Sequence, residues 1–364
     1  MLLSNLGRSA SLRTDKIKIA HREFHLSNVY LVGKFERIGR YADLYPGSNM
    51  LGITFALTNK TYSIVLGMDM SIRFGLFGSG INALSVLPDG SFIVGNDSNL
   101  AILKPDGSIV PFLSFSQNTS FGLPDISGNA FIVKRIDTSG IDTVESVCFG
   151  TFNGPNPPTR LDQTTYTCDQ PSGNIVSLAT DGKYAYILYS SSPSIFLDIY
   201  DVETKEAVAT KTKVGTGATP GIVEGQIKRD IMTNKLFMAT LDLKNKKINL
   251  YELRSGTAEK VADIQSVNII RGGGVNWLSF NYNSINREFN VFAGYFNIYG
   301  FSHFAIAGIA KYGESSNASL VGSGDVLISS LAKFGDRHYA IGLLNISPQS
   351  SNIPSNSVLL LELS

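Results

Sequence analysis

A tight polar turn recurs along this chain at a nearly regular interval, each copy flanked by short alternating apolar runs. The turns fall at Ser48, Asp89, Ser127, Asp181, Asn234, Asn286 and Asp336, separated by 41, 38, 54, 53, 52 and 50 residues. One unit can be read whole in "LPDGSFIVGNDSNLAILKPDGSIVPF", Leu87 to Phe112. Alternation of apolar and polar residues has the period of a half-buried strand, and Pro-Asp-Gly supplies the fixed φ, the local side-chain acceptor and the positive φ that a tight turn needs. Pro88-Asp89-Gly90 therefore joins a first strand to a second, and Pro105-Asp106-Gly107 a third to a fourth.

Four strands per unit of about 40 to 50 residues is the period of propeller blades. The expected fold is all-β: a single seven-bladed β-propeller over 28–364, preceded by a basic arm over 1–27. The last unit, 326–364, reads as three strands. The strand-like run Asn28 to Ile38 would supply its outer fourth strand and close the circle, leaving no open sheet edge. Innermost strands are expected at Tyr41 to Tyr45, Asn82 to Val86, Phe121 to Leu123, Ile175 to Leu178, Gly225 to Lys228, Trp277 to Phe280 and Ile328 to Leu331. The runs "PDGSFIVGN" and "LAILKPDGSIV" resemble the general style of NHL and lactonase-like propellers. That resemblance implies the fold and no particular function.

Lactonase-like propellers would direct several Glu, Asp and Asn side chains from different blades at one metal, because a hard divalent cation needs multiple oxygen ligands. The set available here is Asp43, Asn82, Glu224 and Asn276, and each also reads as a strand-end residue bonding its own backbone. No metal, cofactor or catalytic residue is expected on this reading. His21, His25, His303 and His338 are scattered, the glycine-rich Lys213 to Gly225 segment carries no phosphate-binding pattern, and no GxSxG elbow occurs. Cys148 and Cys168 flank a wide hairpin around Pro157 and Pro158, and could be bridged or remain two thiols.

Only 17% of residues are charged, against roughly a quarter in ordinary domains, and the net charge is +1. No field of one sign exists to attract nucleic acid or an anionic membrane. The start shows no apolar signal core and no run long enough for a membrane span, so the expected location is the cytoplasm, or a virion if the protein is viral. The arm carries Arg8, Arg13, Lys16, Lys18 and Arg22 without strand alternation, and is expected to bind a partner subunit. Together these absences lead to the expectation of a non-enzymatic structural propeller in a larger assembly, such as a virus or phage tail component. The alternative is a lactonase-like hydrolase or lyase, or a carbohydrate-binding propeller, using the channel mouth.

Overall fold

The computed structural model describes residues 4–5, 15–34, 41–56, 61–76, 84–95, 99–114, 118–140, 143–154, 156–216, 225–265, 277–296, 302–321, 326–344 and 357–364. Apart from a single 3-10 turn at Leu161–Gln163, the regular structure of these residues is all strand. None of their helices could cross a membrane.

The strands form antiparallel meanders in chain order. One runs Tyr41–Pro46, Met50–Ala56, Thr61–Gly67, Ile72–Leu76, and the next Leu84–Val86, Phe92–Gly95, Asn99–Leu103, Ile109–Ser114. Thr119–Ser127, Ala130–Asp137, Val144–Phe152 and Thr164–Asp169 follow, then Asn174–Thr180, Tyr184–Ser191, Ser194–Asp201 and Ala207–Thr216. Gly225–Asp230 opens a meander through Lys235–Asp242, Lys247–Arg254 and Thr257–Gln265, and Trp277–Asn283 opens one through Glu288–Phe296, Ser302–Lys311 and Ser319–Val321. At the end, Leu327–Phe334, Arg337–Leu344 and Ser357–Leu363 pair in order, and the fourth strand beside Ser357–Leu363 is Arg22–Lys34 from the other terminus.

The turns form as their residues dictate. Gly90 has φ +81 and its N–H donates to the Leu87 carbonyl at 2.9 Å, while the Asp89 carboxylate accepts the Ser91 N–H at 3.0 Å. The second Pro-Asp-Gly repeats this, with Gly107 donating to Lys104 and Asp106 accepting from Ser108 at 2.8 Å. Lys104 Nζ reaches Asp89 at 2.9 Å, which puts first-to-second and third-to-fourth turns on one face. A Cβ on Gly90 would meet Ser48 Oγ at 2.1 Å, so successive turns abut.

The strands in the middle of a meander are apolar on both faces: Ala185 to Leu188 in a second strand and Val358 to Leu361 in a third are wholly buried. Strands buried on both sides lose the alternating pattern because each face meets another sheet. Buried clusters lie between consecutive meanders, and one of them joins Leu343 and Leu360 of the last to Leu44 and Ile53 of the first.

Two expectations change here. The outer strand expected at Asn28 to Ile38 begins earlier: Leu26–Lys34 pairs with Ser357–Leu363, and 35–38 lie outside the described residues. Part of the arm is a hairpin, Lys16–Ile19 against Arg22–His25, with Ala20 turning at φ +54. Its "KIKI" does alternate: Ile19 and Phe24 are buried in the same cluster as Trp277 and Ile309, which is what draws the segment onto the sheets. Cys148 and Cys168 face each other in register and form a disulfide.

Candidate functional site

Polar residues concentrate on the first strands, where apolar packing partners run out at the centre of the molecule. Each first strand meets those of its neighbours, and β-bulges in three of them re-aim side chains inward. The register shifts between Gly122 and Asp125, between Ile175 and Ser177, and between Ile328 and Ser330. These shifts present Asp125, Ser177 and Ser330 to the centre.

The strand Gly225–Asp230 organises what meets there. Alternation sends Gln226 and Lys228 to one side and Arg229 to the other. On the first side, Asp43 receives five donors: Lys228 Nζ at 2.8 Å, Gln226 Nε2 at 2.8 Å, Ser279 Oγ at 2.6 Å, Ser330 Oγ at 3.0 Å and its neighbour Leu44 N–H at 2.8 Å. Lys228 also donates to the Leu44 carbonyl at 3.0 Å and to Asn281 Oδ1 at 3.4 Å, and sits 4.2 Å above the Tyr45 ring. Burial pushes the Lys228 pKa down, and Asp43 opposes that shift.

On the other side, Arg229 Nη2 donates to Asp125 Oδ2 at 2.9 Å and to the Thr180 carbonyl at 2.7 Å, and Nη1 donates to Asn234 at 2.9 Å. Burial pushes the Asp125 carboxyl above its ordinary value, against the Arg229 charge and the Thr180 amide. The Arg229 side chain is 2% exposed, and its Nε–H has no partner. A buried donor left unmatched is costly in a folded protein.

Two cavities share Lys228, Arg229, Pro46 and Asn281 in their walls. One, of about 160 Å³, is lined further by Tyr45, Ser85, Asp125, Ser177 and Gln226. The other, of about 200 Å³, opens toward the first-to-second turns.

Of the four residues weighed as metal ligands, Asp43 is held by the Lys228 ammonium and four neutral donors, an environment that disfavours a cation. Asn82, Glu224 and Asn276 lie outside the described residues, as do Arg8 and Arg13. Among the described residues no cluster of three His, Cys, Asp or Glu could hold a metal. Arg22 makes a two-pronged ion pair with Glu288 of the same chain at 2.9 and 3.1 Å, Lys16 pairs with Glu23 at 2.6 Å, and Lys18 lies opposite Glu23 in the hairpin. The expected inner runs stopped at Leu123 and Lys228, just short of Asp125 and Arg229. The signal that could have found the site was an adjacent Lys-Arg pair inside a strand destined for burial.

No family model and no curated protein matches this chain. Solved structures share its shape at low identity. An oligogalacturonate lyase from Vibrio parahaemolyticus superposes with TM-score 0.51 at 8% identity, over 98% of both chains. A chain of the mitotic checkpoint complex gives 0.50 at 14%, again over 98% of both. The β-propeller domain of the Trilobed protease from Pyrococcus furiosus gives 0.45 at 10%, over 89% of this chain and 96% of that one. The fold resemblance is to propeller-type proteins. The expectation of a non-enzymatic virion or phage-tail component is corrected: the structural neighbours include an oligogalacturonate lyase matched over 98% of both chains. The physical fault in that expectation lies in its premise. A propeller assembles its channel from separated strands, so the lack of a contiguous motif says nothing against chemistry there.

Proposed function

We propose that this chain is a seven-bladed β-propeller of the hydrolase or lyase kind whose channel takes up a small hydroxyl-rich carboxylate, such as a sugar acid. The blade count follows from taking each meander as one blade and Arg22–Lys34 as the outer strand of the last, which makes the chain a closed ring. The single observation that carries the ligand reading is Arg229: a buried guanidinium that lines both cavities with its Nε–H unmatched. A carboxylate or hydroxyl oxygen would complete its donor set, and charge-assisted bonds of this kind are the strong ones. Tyr45, Ser85, Ser177, Gln226 and Asn281 in the adjoining walls suit hydroxyl groups.

The likeness to an oligogalacturonate lyase reaches the fold alone, and here it supplies the choice of probe. Galacturonate should raise the melting temperature of the protein and galactose should not, since ligand binding to the folded state alone stabilises it. R229K keeps a cation beside Asp125 but has no Nε–H, and should lose the response while remaining folded. Equal responses to the two sugars, or an R229K variant that responds like the wild type, would overturn the reading. Incubation with oligogalacturonate, followed by the ultraviolet absorbance of a new conjugated double bond, separates lyase from hydrolase.

A further inference from the structure

The hairpin Lys16–Ile19 against Arg22–His25 lies across the joint between the last two meanders and takes no part in the channel. It continues the outer strand past Leu26, which stands opposite Leu363, and backbone bonds fix it to its own meander: the His25 N–H donates to the Ser364 carbonyl and the Ser364 N–H to the His25 carbonyl, both at 2.9 Å. Its hold on the preceding meander is of another kind. Ile19, Ala20 and Phe24 are buried in one cluster with Trp277, Phe292 and Ile309, and Arg22 reaches Glu288 with two nitrogens at 2.9 and 3.1 Å. Among the described residues no backbone ladder joins the hairpin to that meander, so side chains alone keep it there.

Alternation along Arg22–His25 turns Arg22 and Phe24 to the covered side and leaves Glu23 and His25 exposed. On the covered side Phe24 meets the half-buried His338 ring edge-on, with centroids 5.5 Å apart and planes at 60°. The charged groups that face this imidazole come from three directions: Lys333 from the first strand of its own meander, where the two stand in register, Arg22 from the hairpin, and Glu288 from the preceding meander. The third strand places Leu363 opposite His338, and the neighbouring Arg337 is paired with Glu362. Burial chiefly, and then Lys333 and Arg22, hold the His338 imidazole below its ordinary pKa against the opposing pull of Glu288. A neutral imidazole packs on Phe24 freely, whereas an imidazolium there has lost much of its water.

We infer that this hairpin is a strap that stays closed over the joint while His338 is neutral and is released when His338 takes a proton. Release requires only that the side-chain hold on the preceding meander fail. The outer strand Leu26–Lys34 keeps its own ladder with Ser357–Leu363, so the opening is local and the last meander stays complete.

The direction of the pH effect follows from linkage. Freed from Phe24, His338 has an ordinary imidazole pKa of about 6.5, and docked it lies lower. The docked state therefore binds fewer protons, so docking is fully favoured above about pH 6.5 and weakens as the pH falls through the docked-state pKa. The inference is independent of the sugar-acid reading, since none of Arg22, Phe24, Glu288 and His338 lines either channel cavity.

The test follows amide hydrogen exchange of the full chain by mass spectrometry, with each rate referred to the intrinsic rate at that pH. Protection over 16–25 should fall several-fold between about pH 7.5 and about pH 5, while protection over Val358 to Leu361 stays constant. H338F keeps a ring against Phe24 but has no proton to take, and should hold the strap closed across the range. H338Q makes the same comparison with a side chain that packs less tightly. E288Q should lower protection over 16–25 at both pH values, because Arg22 loses its charged partner, and should keep the fall. Wild-type protection that does not change with pH, a fall that persists when His338 is replaced, or unchanged protection in E288Q would overturn the inference. So would a parallel fall over Val358 to Leu361, because the whole sheet would then be loosening and not the strap.

Discussion

The two sides of the strand Gly225–Asp230 carry one buried ion pair each, and they differ in completeness. On the Lys228 side every proton of the ammonium has an acceptor and the Asp43 carboxylate is surrounded by donors. Those bonds tie the strands at Tyr41, Gly225, Trp277 and Leu327 to one another across the centre. On the Arg229 side the guanidinium ties the strands at Thr119 and Asn174 to the same element, yet one of its donors is unmatched. A saturated buried network holds geometry; an unsaturated one holds geometry and leaves a place for something else.

Four experiments sharpen or break this contrast, beginning with the largest effect. D43A strips Lys228, Gln226, Ser279 and Ser330 of their common acceptor and leaves a buried ammonium uncompensated. Such losses cost about 3 to 5 kcal/mol, read as a lower denaturation midpoint at unchanged slope. A loss below about 1 kcal/mol would mean that water relaxes into the site and the network is not a hub. The next effect lies outside the channel. The Cys148–Cys168 disulfide closes a loop with a sequence separation of 20 on the third and fourth strands of its meander. Reducing it should cost about 3 kcal/mol and leave the galacturonate response intact, because neither cysteine lines the channel cavities.

Third, paired apolar replacements compare the two sides directly. D43L/K228M leaves Gln226, Ser279 and Ser330 without their acceptor and should lose about 2 kcal/mol or more. D125L/R229M removes a pair with fewer dependants and should lose less, as buried pairs often can be exchanged for apolar groups. Equal losses would erase the distinction between hub and site.

The smallest effect is in pH. Burial raises the folded pKa of Asp125 above its unfolded value of about 3.9, so the folded state keeps that proton longer. Ionising it then costs stability as the pH climbs from about 4 through the folded pKa. Below pH 4 the penalty is absent. D125N should show a flatter stability profile across that window, and an identical profile would mean that the Arg229 charge fully offsets burial.

How far the site was legible follows from particular residues. The turns were readable because Asp89-Gly90 and Asp106-Gly107 carry their own local chemistry, and Gly182, Asn234 and Gly335 likewise sit at positive φ where their turns need it. The innermost strands were placed from the same periodicity, and each expected run overlaps an observed strand. Asp125, Ser177 and Ser330 could not be read in this way. Each follows a bulge, and one extra residue reverses the face to which every later side chain in the strand belongs. The buried hairpin at Lys16–Ile19 escaped for a different reason: four residues of alternation are too few to stand out among basic neighbours.

The sequence by itself determined what is local or periodic: an all-β chain, the first-to-second turns and the order of strands within each unit, whereas the pairing of Cys148 with Cys168 was left open. Turn geometry and strand alternation act over a few residues, so a linear reading captures them. Only the tertiary structure decided which polar residues meet at the centre. Asp43 and Lys228 are 185 residues apart, and Asp125 and Arg229 are 104 apart. Their pairing follows from which first strands lie side by side and where they bulge, which no local pattern encodes. The unmatched Arg229 Nε–H and the unmatched Asp125 Oδ1 exist only because distant strands bring this pair together without closing every bond between its atoms.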